Sequence, residues 1–216
     1  NIEYILDIGV HSGTPWLQHS FPNAHHVLIE PNTNHNSSIQ ENYQHMSYEL
    51  TNVALGKTNK QNTFLRLIEQ HKGYSYTSDM VTLDSLDLLP RGKSLAKIDV
   101  DGYEIDVIEG GLNTFPLFDL LIVESKVNVI SEIITVCEAL NFKLWDIVNL
   151  DYELGNLAQI DLVFKKTDFV MRPVDGYLDY QFLHTTPLLL TFDHCICHNL
   201  YQIDIVKFHL LSLIHI

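Results

Sequence analysis

The chain has 216 residues, of which 46% are apolar and 19% are charged, so its composition is that of a globular domain and not of a disordered segment. Its formal net charge is −14 with histidine counted as neutral. This charge argues against nucleic acid as a partner, because no basic stripe is available to bind phosphates. No apolar run reaches the roughly 20 residues that a membrane-spanning helix needs.

The cysteines and the first residues bear on the cellular setting. Three cysteines, Cys137, Cys195 and Cys197, are too few to predict a disulfide framework, so a reducing, cytoplasmic setting is expected. The first residues lack the basic start of a signal peptide, and Asp7 interrupts their apolar stretch. Because the chain begins at Asn1, almost within a core strand, it is interpreted as a fragment, and an earlier targeting segment stays open.

Short apolar runs alternate with segments of helical periodicity along the first two thirds of the chain. The runs predict strands at Ile2–Ile8, His25–Glu30, Tyr48–Leu55, Leu95–Val100, Asp119–Glu124, Phe142–Val148 and Gln159–Lys165. A hairpin-like excursion is predicted at Thr63–Ile68 and Met80–Leu83, and helices at Glu104–Leu112 and Val129–Leu140. Such alternation indicates an α/β fold with a mostly parallel sheet and helices on both faces.

Residues 1–166 are predicted to form one domain, and residues 167–216 an extension without clear periodicity. The last six residues, L-S-L-I-H-I, resemble a translated transposon-type sequencing adapter; the alternative is an ordinary C-terminal extension. The segment Cys195-Ile196-Cys197-His198 looks metal-like. Its C-x-C spacing has no second ligand pair, so no metal site is predicted.

The first candidate site feature is the loop after the first predicted strand. Asp7-Ile8-Gly9-Val10-His11-Ser12-Gly13 has the spacing D-x-G-x-x-x-G. Glycines there allow a tight turn and close approach of a ligand, and the helix expected next offers free N–H groups. The G-x-G-x-x-G of dinucleotide binding is absent, which suits a ligand without pyrophosphate. A plain strand-to-helix turn is the alternative.

Acidic residues end two further predicted strands. Glu30 can accept both hydroxyls of an adenosine ribose, or can simply cap its strand. Lys97, Asp99 and Asp101 are expected on one face of their strand. Two close carboxylates are best tolerated at the carboxyl end of a strand, where they open into a ligand crevice and a cationic ligand favours their ionised forms. An internal ion-pair set with Lys97 is the alternative.

The ordered set of motifs resembles the FkbM-type methyltransferase family over residues 1 to about 166. The matching segments, in chain order, are D-I-G-V-H-S-G, L-I-E-P, N-V-A-L-G, V-T-L-D-S-L, K-I-D-V-D-G-Y-E-I-D-V-I-E-G-G, V-E-S and Q-I-D-L-V-F-K-K. The resemblance implies a Rossmann-like class I methyltransferase sheet and S-adenosylmethionine as the methyl donor. It further implies O-methylation of a small-molecule hydroxyl, on a sugar-like or polyketide-like acceptor.

Carried over by position, the resemblance implies roles for individual residues. Those implied to bind the donor are Asp7, Gly9, His11, Gly13, Glu30, Asn52, Ala54 and Asp99, with Glu30 at the ribose and the turn from Asn52 at the adenine. Those implied to lie beside the methyl group or the acceptor are Asp99, Asp101 and Glu104. Asp84, in T-L-D-S-L, matches a family position without an assigned role. The chain departs from the family in having V-H-S where the first loop usually has A-N-x, and Asp101 where the family usually has Glu.

The expected mechanism is an in-line displacement at an activated methyl carbon, in which alignment of the acceptor oxygen supplies about 7–11 kcal/mol of the barrier. Asp99 or Asp101 is expected as the general base, with His11 as an alternative. Gln61–Asp79, with Tyr74 and Tyr76, is expected to form a wall of the acceptor site. Two other functions stay open: a non-catalytic domain that binds a donor or a partner, and a nicotinamide-dependent oxidoreductase, against which the missing G-x-G-x-x-G argues.

Overall fold

The protein is described from a computed structural model that covers residues 2–69 and 72–169; at residues 62, 64–69 and 72–76 only the backbone is described. These residues belong to one compact unit, Ile2–Phe169. The expectations for the C-terminal extension, including those for Cys195, Cys197 and the last six residues, lie outside the described residues.

The described chain folds into two sheets and four α-helices. The strands are β1 (Tyr4–Ile8), β2 (His25–Ile29), β3 (Ser47–Thr51), β4 (Ala54–Leu55), β5 (Lys60–Glu69), β6 (Lys72–Val81), β7 (Ser94–Ile98), β8 (Leu120–Lys126), β9 (Phe142–Glu153) and β10 (Asn156–Lys166). The helices are α1 (Pro15–Ser20), α2 (Asn36–Tyr43), α3 (Glu104–Glu109) and α4 (Ile130–Ala139). Short 3₁₀ turns occupy Thr33–His35, Leu83–Leu86, Phe115–Leu117 and Val127–Val129.

Seven strands form the central sheet in the order β3-β2-β1-β7-β8-β10-β9. The first five are parallel, whereas β10 lies antiparallel to both β8 and β9. The strand order reverses between β1 and β7, and in open α/β sheets ligands bind outside the carboxyl ends of the strands at such a point. The predicted Rossmann-like, mostly parallel sheet is confirmed.

Alternate residues of the central strands face two separate helical layers. On one side, Leu6 of β1 packs in a core with Ile108 of α3 and Ile133 of α4. On the other side, Leu28 of β2 packs with Ile39 of α2. Because both faces are covered, β1 and β7 are buried along their whole length, including the polar residues Asp7, Ser94 and Lys97. No helix among the described residues has both the length and the hydropathy to cross a membrane.

The single strand predicted over Tyr48–Leu55 is wrong, because this segment divides into β3 and β4, which lie in different sheets. Thr51 is the last residue paired with β2. The side-chain amide of the next residue, Asn52, donates to the carbonyl of Glu30 at 2.7 Å and so ends the strand. The second sheet then has the order β4-β6-β5, in which β5 and β6 form an antiparallel hairpin. A hairpin was predicted here, but its second strand is Lys72–Val81 and not Met80–Leu83.

The helix predicted over Glu104–Leu112 ends earlier, at Glu109. A Cβ at Gly110 would lie 2.1 Å from the carbonyl oxygen of Gly56, so the chain after α3 packs directly on the backbone that follows β4. Leu112, predicted on the buried face, is 52% exposed. Helix α2 has no counterpart among the sequence predictions, because its sequence N-S-S-I-Q-E-N-Y is largely polar.

Asp84 has a structural role that the sequence did not assign. Its carboxylate accepts hydrogen bonds from the N–H and side chain of Thr114, at 2.9 and 2.8 Å, and from the N–H and side-chain amide of Asn113. Partial burial opposes ionisation, but these hydrogen bonds outweigh it and lower the pKa of Asp84. Asp84 therefore ties the 3₁₀ turn at Leu83–Leu86 to the turn that follows α3.

We expect Asp84→Asn to lower the free energy of unfolding by about 1–2 kcal/mol at pH 7. The loss of a fully buried carboxylate with the same hydrogen bonds would be larger, but solvent screens the partly exposed Asp84. The pKa of Asp84 is lowered in the folded state, so its contribution is present above 3.8, the ordinary value, and is lost as the pH falls. Urea unfolding at pH 7 and pH 3 checks both points. Asp87→Asn, at an exposed residue of the same segment, is the control; equal losses in the two variants would contradict the expectation.

Candidate functional site

The loops that follow β1 and β7 contact each other directly at the carboxyl edge of the sheet. The N–H of Asp99 donates to the carbonyl of Ile8 at 3.0 Å, and the N–H of Gly9 donates to the carbonyl of Ile29 at 2.9 Å. Gly9 has a φ of +84°, and a Cβ there would lie 1.7 Å from the carbonyl oxygen of Asp99. Only glycine fits this contact, which brings the ends of β1, β2 and β7 together.

The carboxylate of Glu30 holds the first loop against the end of β2. One oxygen accepts the N–H of His11 and the other accepts the N–H of Asn32, both at 2.8 Å. His11 has a φ of +53°, and its ring centroid lies 3.9 Å from that of His35. Gly13, at a φ of +139°, closes the loop before α1. The predicted residues Glu30, His11 and Gly13 therefore share one site, to which His35 is an addition that the sequence did not indicate.

The two residues predicted near the adenine lie in different surroundings. The side-chain amide of Asn52 donates to the Glu30 carbonyl and exchanges two hydrogen bonds of 2.9 Å with the amide of Asn36. This pair ties α2 to the same edge of the sheet. Ala54 is buried against Met80 of the second sheet. Asn52 thus lies beside Glu30, whereas Ala54 belongs to the core of the smaller sheet.

Asp7 lies in β1, beneath the loop, with no exposed surface. The side chains of Thr14 and Tyr43 lie near its carboxyl group and oppose the effect of burial on its pKa. Burial raises the pKa of Asp7, although the charge of Lys97, its register partner in β7, acts in the opposite direction. Asp7 is therefore a buried acid at the base of the site and not part of its open surface.

Lys97 and Asp99 form an ion pair at the end of β7, with Nζ and Oδ2 2.6 Å apart. The Lys97 side chain is 7% exposed and that of Asp99 is 32% exposed, so only the carboxylate reaches the surface of the edge. Burial opposes ionisation of Asp99, but the Lys97 charge and a hydrogen bond with Glu124 outweigh it and lower the pKa of Asp99. Asp99 is therefore ion-paired with Lys97, as the alternative interpretation of this motif expected, and lies at the carboxyl edge of the sheet.

Two acids that the sequence analysis did not single out complete this group. Glu124 of β8 hydrogen-bonds the Asp99 side chain, and burial together with that contact raises the pKa of Glu124 to about 9. Asp161 of β10 is the register partner of Glu124 and accepts the side-chain amide of Asn149 at 2.7 Å. An acid inside the apolar run Q-I-D-L-V-F was the available signal for Asp161. The described residues contain no group of three or more His, Cys, Asp or Glu arranged to hold a metal ion.

Asp101 and Glu104 lie beyond the end of β7, which stops at Ile98. Asp101 has a φ of +54° and is exposed on the turn before α3, so it does not share a strand face with Lys97 and Asp99. Glu104 is buried, and its carboxylate accepts the N–H of Gly102 at 2.8 Å. Most side chains of Gln61–Asp79, the expected acceptor wall with Tyr74 and Tyr76, lie outside the described residues.

Several solved structures are similar to this chain at low identity. A ribosomal protein L11 methylase from Lactobacillus delbrueckii subsp. bulgaricus matches at 12% identity over 77% of this chain and 71% of its own, with a TM-score of 0.47. The 1,6-didemethyltoxoflavin-N1-methyltransferase of Burkholderia thailandensis, solved with S-adenosylhomocysteine, matches at 10% identity over 78% and 72%, with a TM-score of 0.49. At this level of similarity they say nothing about the acceptor of this chain. No curated protein matches.

A family model described as the methyltransferase FkbM domain matches residues 7–144. The matched range contains the crossing loops at Gly9 and Asp99, the Glu30 carboxylate, and Glu124. The predicted family is confirmed, and with it the prediction of S-adenosylmethionine as cofactor. The chain belongs to the FkbM methyltransferase family.

Proposed function

We propose that this chain transfers a methyl group from S-adenosylmethionine to a hydroxyl oxygen of a small molecule, with Asp99 as the general base. The observation that carries the proposal is the meeting of Gly9, Glu30 and Asp99 at one edge of the sheet, linked through Ile8, Ile29 and His11 by backbone hydrogen bonds. This edge lies at the reversal of strand order, where ligands of open α/β sheets bind.

The residues at this edge fit a cationic nucleoside donor. The close contact at Gly9 leaves no room for a side chain between the first loop and the backbone of Asp99. The ionised carboxylate of Asp99, which Lys97 stabilises, suits a ligand that carries a sulfonium and an amino group. A carboxylate accepts up to about four hydrogen bonds, so the two backbone donors on Glu30 are compatible with ribose hydroxyls. His11 and Gly13 would complete the donor site by shaping the loop after β1, and Asn52 would do so by tying α2 to the edge of the sheet.

When bound, the donor supplies an activated methyl carbon, which forms a bond to oxygen while its bond to sulfur breaks and the electron pair stays on sulfur. Asp99 takes the hydroxyl proton. The attacking oxygen becomes strongly acidic as its new bond forms, so a carboxylate of lowered pKa is basic enough to accept the proton. Lys97 keeps that carboxylate ionised and fixes one of its oxygens at 2.6 Å. Asp101, on its exposed turn, is the alternative base, and the buried Glu104 shapes that turn through the Gly102 N–H.

The proposed acceptor is a neutral hydroxyl compound, sugar-like or polyketide-like. A net charge of −14 disfavours an acceptor rich in phosphate, and nucleic acid is therefore not proposed. Calorimetric titration with S-adenosylmethionine, S-adenosylhomocysteine and a nicotinamide dinucleotide tests the donor, and a labelled-methyl screen against sugar, lipid and polyketide hydroxyls tests the acceptor. Binding of the nicotinamide compound alone would overturn the proposal. Binding of the donor without transfer to any hydroxyl would favour the non-catalytic alternative.

We expect Asp99→Asn to lower kcat about 100-fold, because the amide cannot accept the hydroxyl proton, while donor binding persists. The same substitution at Asp101 tests the alternative base, and the larger of the two losses in kcat identifies the residue. Undiminished turnover by Asp99→Asn would remove Asp99 from the mechanism. Calorimetry with S-adenosylhomocysteine separates a loss of chemistry from a loss of donor binding.

A further inference from the structure

Two neighbouring carboxyl groups, those of Asp99 and Glu124, lie at the carboxyl edge of the sheet. Strands β7 and β8 pair in parallel up to Ile98 and Val123, so the residues that follow, Asp99 and Glu124, are neighbours at the carboxyl edge. Their side chains lie close enough for a hydrogen bond between them to lower the pKa of Asp99 and raise that of Glu124. An ionised carboxylate can only accept hydrogen bonds, so a bond between two carboxyl groups requires a proton on one of them.

The contacts of the pair decide which group carries the proton. The Lys97 ammonium lies 2.6 Å from Oδ2 of Asp99, which places the negative charge on Asp99. Glu124 faces Asp99 on one side and Asp161, its register partner, on the other, so a second negative charge at Glu124 would be repelled from both directions. Burial and these two acids outweigh the attraction of Lys97 and raise the pKa of Glu124 to about 9.

We propose that Glu124 is a positioning residue for the proposed methyl transfer, which holds a proton in its hydrogen bond to Asp99 and fixes that carboxylate against the Lys97 ammonium. Asp99 then has one defined orientation and a single negative charge toward the acceptor hydroxyl. During transfer the hydroxyl proton passes to Asp99 and Glu124 keeps its own, after which Asp99 returns its proton to solvent. The catalytic part of this inference rests on the proposed function, whereas the shared proton does not.

The first test is infrared difference spectroscopy of the protein without ligands at pH 7. Glu124→Gln should remove one carbonyl band of a protonated carboxyl group, because Gln keeps a hydrogen-bond donor but has no carboxyl proton. Glu132→Gln, at an exposed residue of α4, is the matched control and should leave this band unchanged. A spectrum in which Glu124→Gln removes only a carboxylate band would overturn the inference.

The second test is the pH dependence of unfolding. A pKa raised from 4.5 to about 9 means that the stability associated with protonated Glu124 is fully present below pH 4.5 and is lost as the pH rises toward about 9. Gln has no such loss, so the urea midpoint of Glu124→Gln should rise relative to the parent chain between pH 5 and pH 8.5. The midpoint of Glu132→Gln should keep a constant difference. A constant difference for Glu124→Gln as well would contradict a shared proton.

The outcome of these two tests does not depend on whether the proposed function is correct. A chain that binds no S-adenosylmethionine would overturn the proposed function and leave the shared proton intact, since both measurements use the protein alone. With a hydroxyl acceptor from the screen, Glu124→Gln should keep kcat within about threefold, whereas Glu124→Leu, which has no donor, should lose about 100-fold. Equal kcat values for the two variants would overturn the positioning role.

Discussion

We expect Gly9→Ala to lower the free energy of unfolding by about 3 kcal/mol or more and to abolish binding of S-adenosylmethionine. Two effects add. An alanine at a φ of +84° is strained by about 1–2 kcal/mol, and its Cβ would lie 1.7 Å from the carbonyl oxygen of Asp99, so the loops after β1 and β7 must separate. Separation also breaks the geometry in which His11 and Glu30 meet. Urea unfolding followed by circular dichroism and calorimetric titration with the donor measure the two losses.

Gly155→Ala is the matched control for this substitution. Gly155 has a φ of +80°, nearly that of Gly9, but a Cβ there meets nothing within 4 Å at the turn between β9 and β10. It should therefore lose only the backbone term of about 1–2 kcal/mol and retain donor binding. A similar loss for both variants, or donor binding by Gly9→Ala, would show that the crossing at Asp99 tolerates a side chain and that the site is not built on it.

Lys97→Met should lower the free energy of unfolding by about 3–5 kcal/mol at pH 7, because it leaves the buried carboxyl groups around Lys97 without their cation. Asp99 loses its ion pair, and Asp7 and Asp161 lose a favourable charge. The charge of Lys97 acts to lower the pKa of all three acids. Methionine has a similar shape, so the loss reports charge and not a cavity. Urea unfolding measures it.

The pH dependence separates this effect from a packing defect. The pKa of Asp99 is lowered in the parent chain, so the stabilising effect of the pair is present above 3.8 and is lost as the pH falls. In Lys97→Met the carboxyl groups take up protons more readily, and the deficit should shrink from pH 7 toward acid. Lys57→Met, which removes an exposed ion pair with Glu109, should change little at either pH. A deficit that is constant with pH would contradict the charge explanation.

The fold was predictable from the sequence where strands are fully buried. The mainly apolar runs at β1, β7 and β8 are typical of strands buried on both faces. Their alternation with helical segments along the chain indicates a parallel sheet. The division of Tyr48–Leu55 was not predictable, because it depends on the side chain of Asn52 reaching the carbonyl of Glu30, a contact between residues distant in sequence. Helix α2 was missed for a similar reason, since Ile39 and Tyr43 are buried in a cluster with Val10 and Leu28, which are distant in sequence.

In the candidate site, the residues at the ends of single strands were predictable from the sequence, whereas the contacts that depend on strand order were not. Gly9, Glu30 and Asp99 stand at strand ends, and parallel strands bring such ends together. Glu124 and Asp161 lie near Asp99 and Lys97 because the strand order is β7-β8-β10. No local sequence pattern predicts this order. Asp101 was expected beside Asp99 on a continuous strand, but β7 ends at Ile98 and the chain turns.

The position of β10 between β8 and β9 also affects how the chain is made. Strand β8 contains four consecutive apolar residues that are buried in the folded protein. During synthesis the edge of β8 that pairs with β10 stays unpaired until residue 166 has left the ribosome. The family match ends at residue 144, before β10. A fragment cut at that limit would leave β8 as an open edge strand, the type of edge along which chains associate and aggregate.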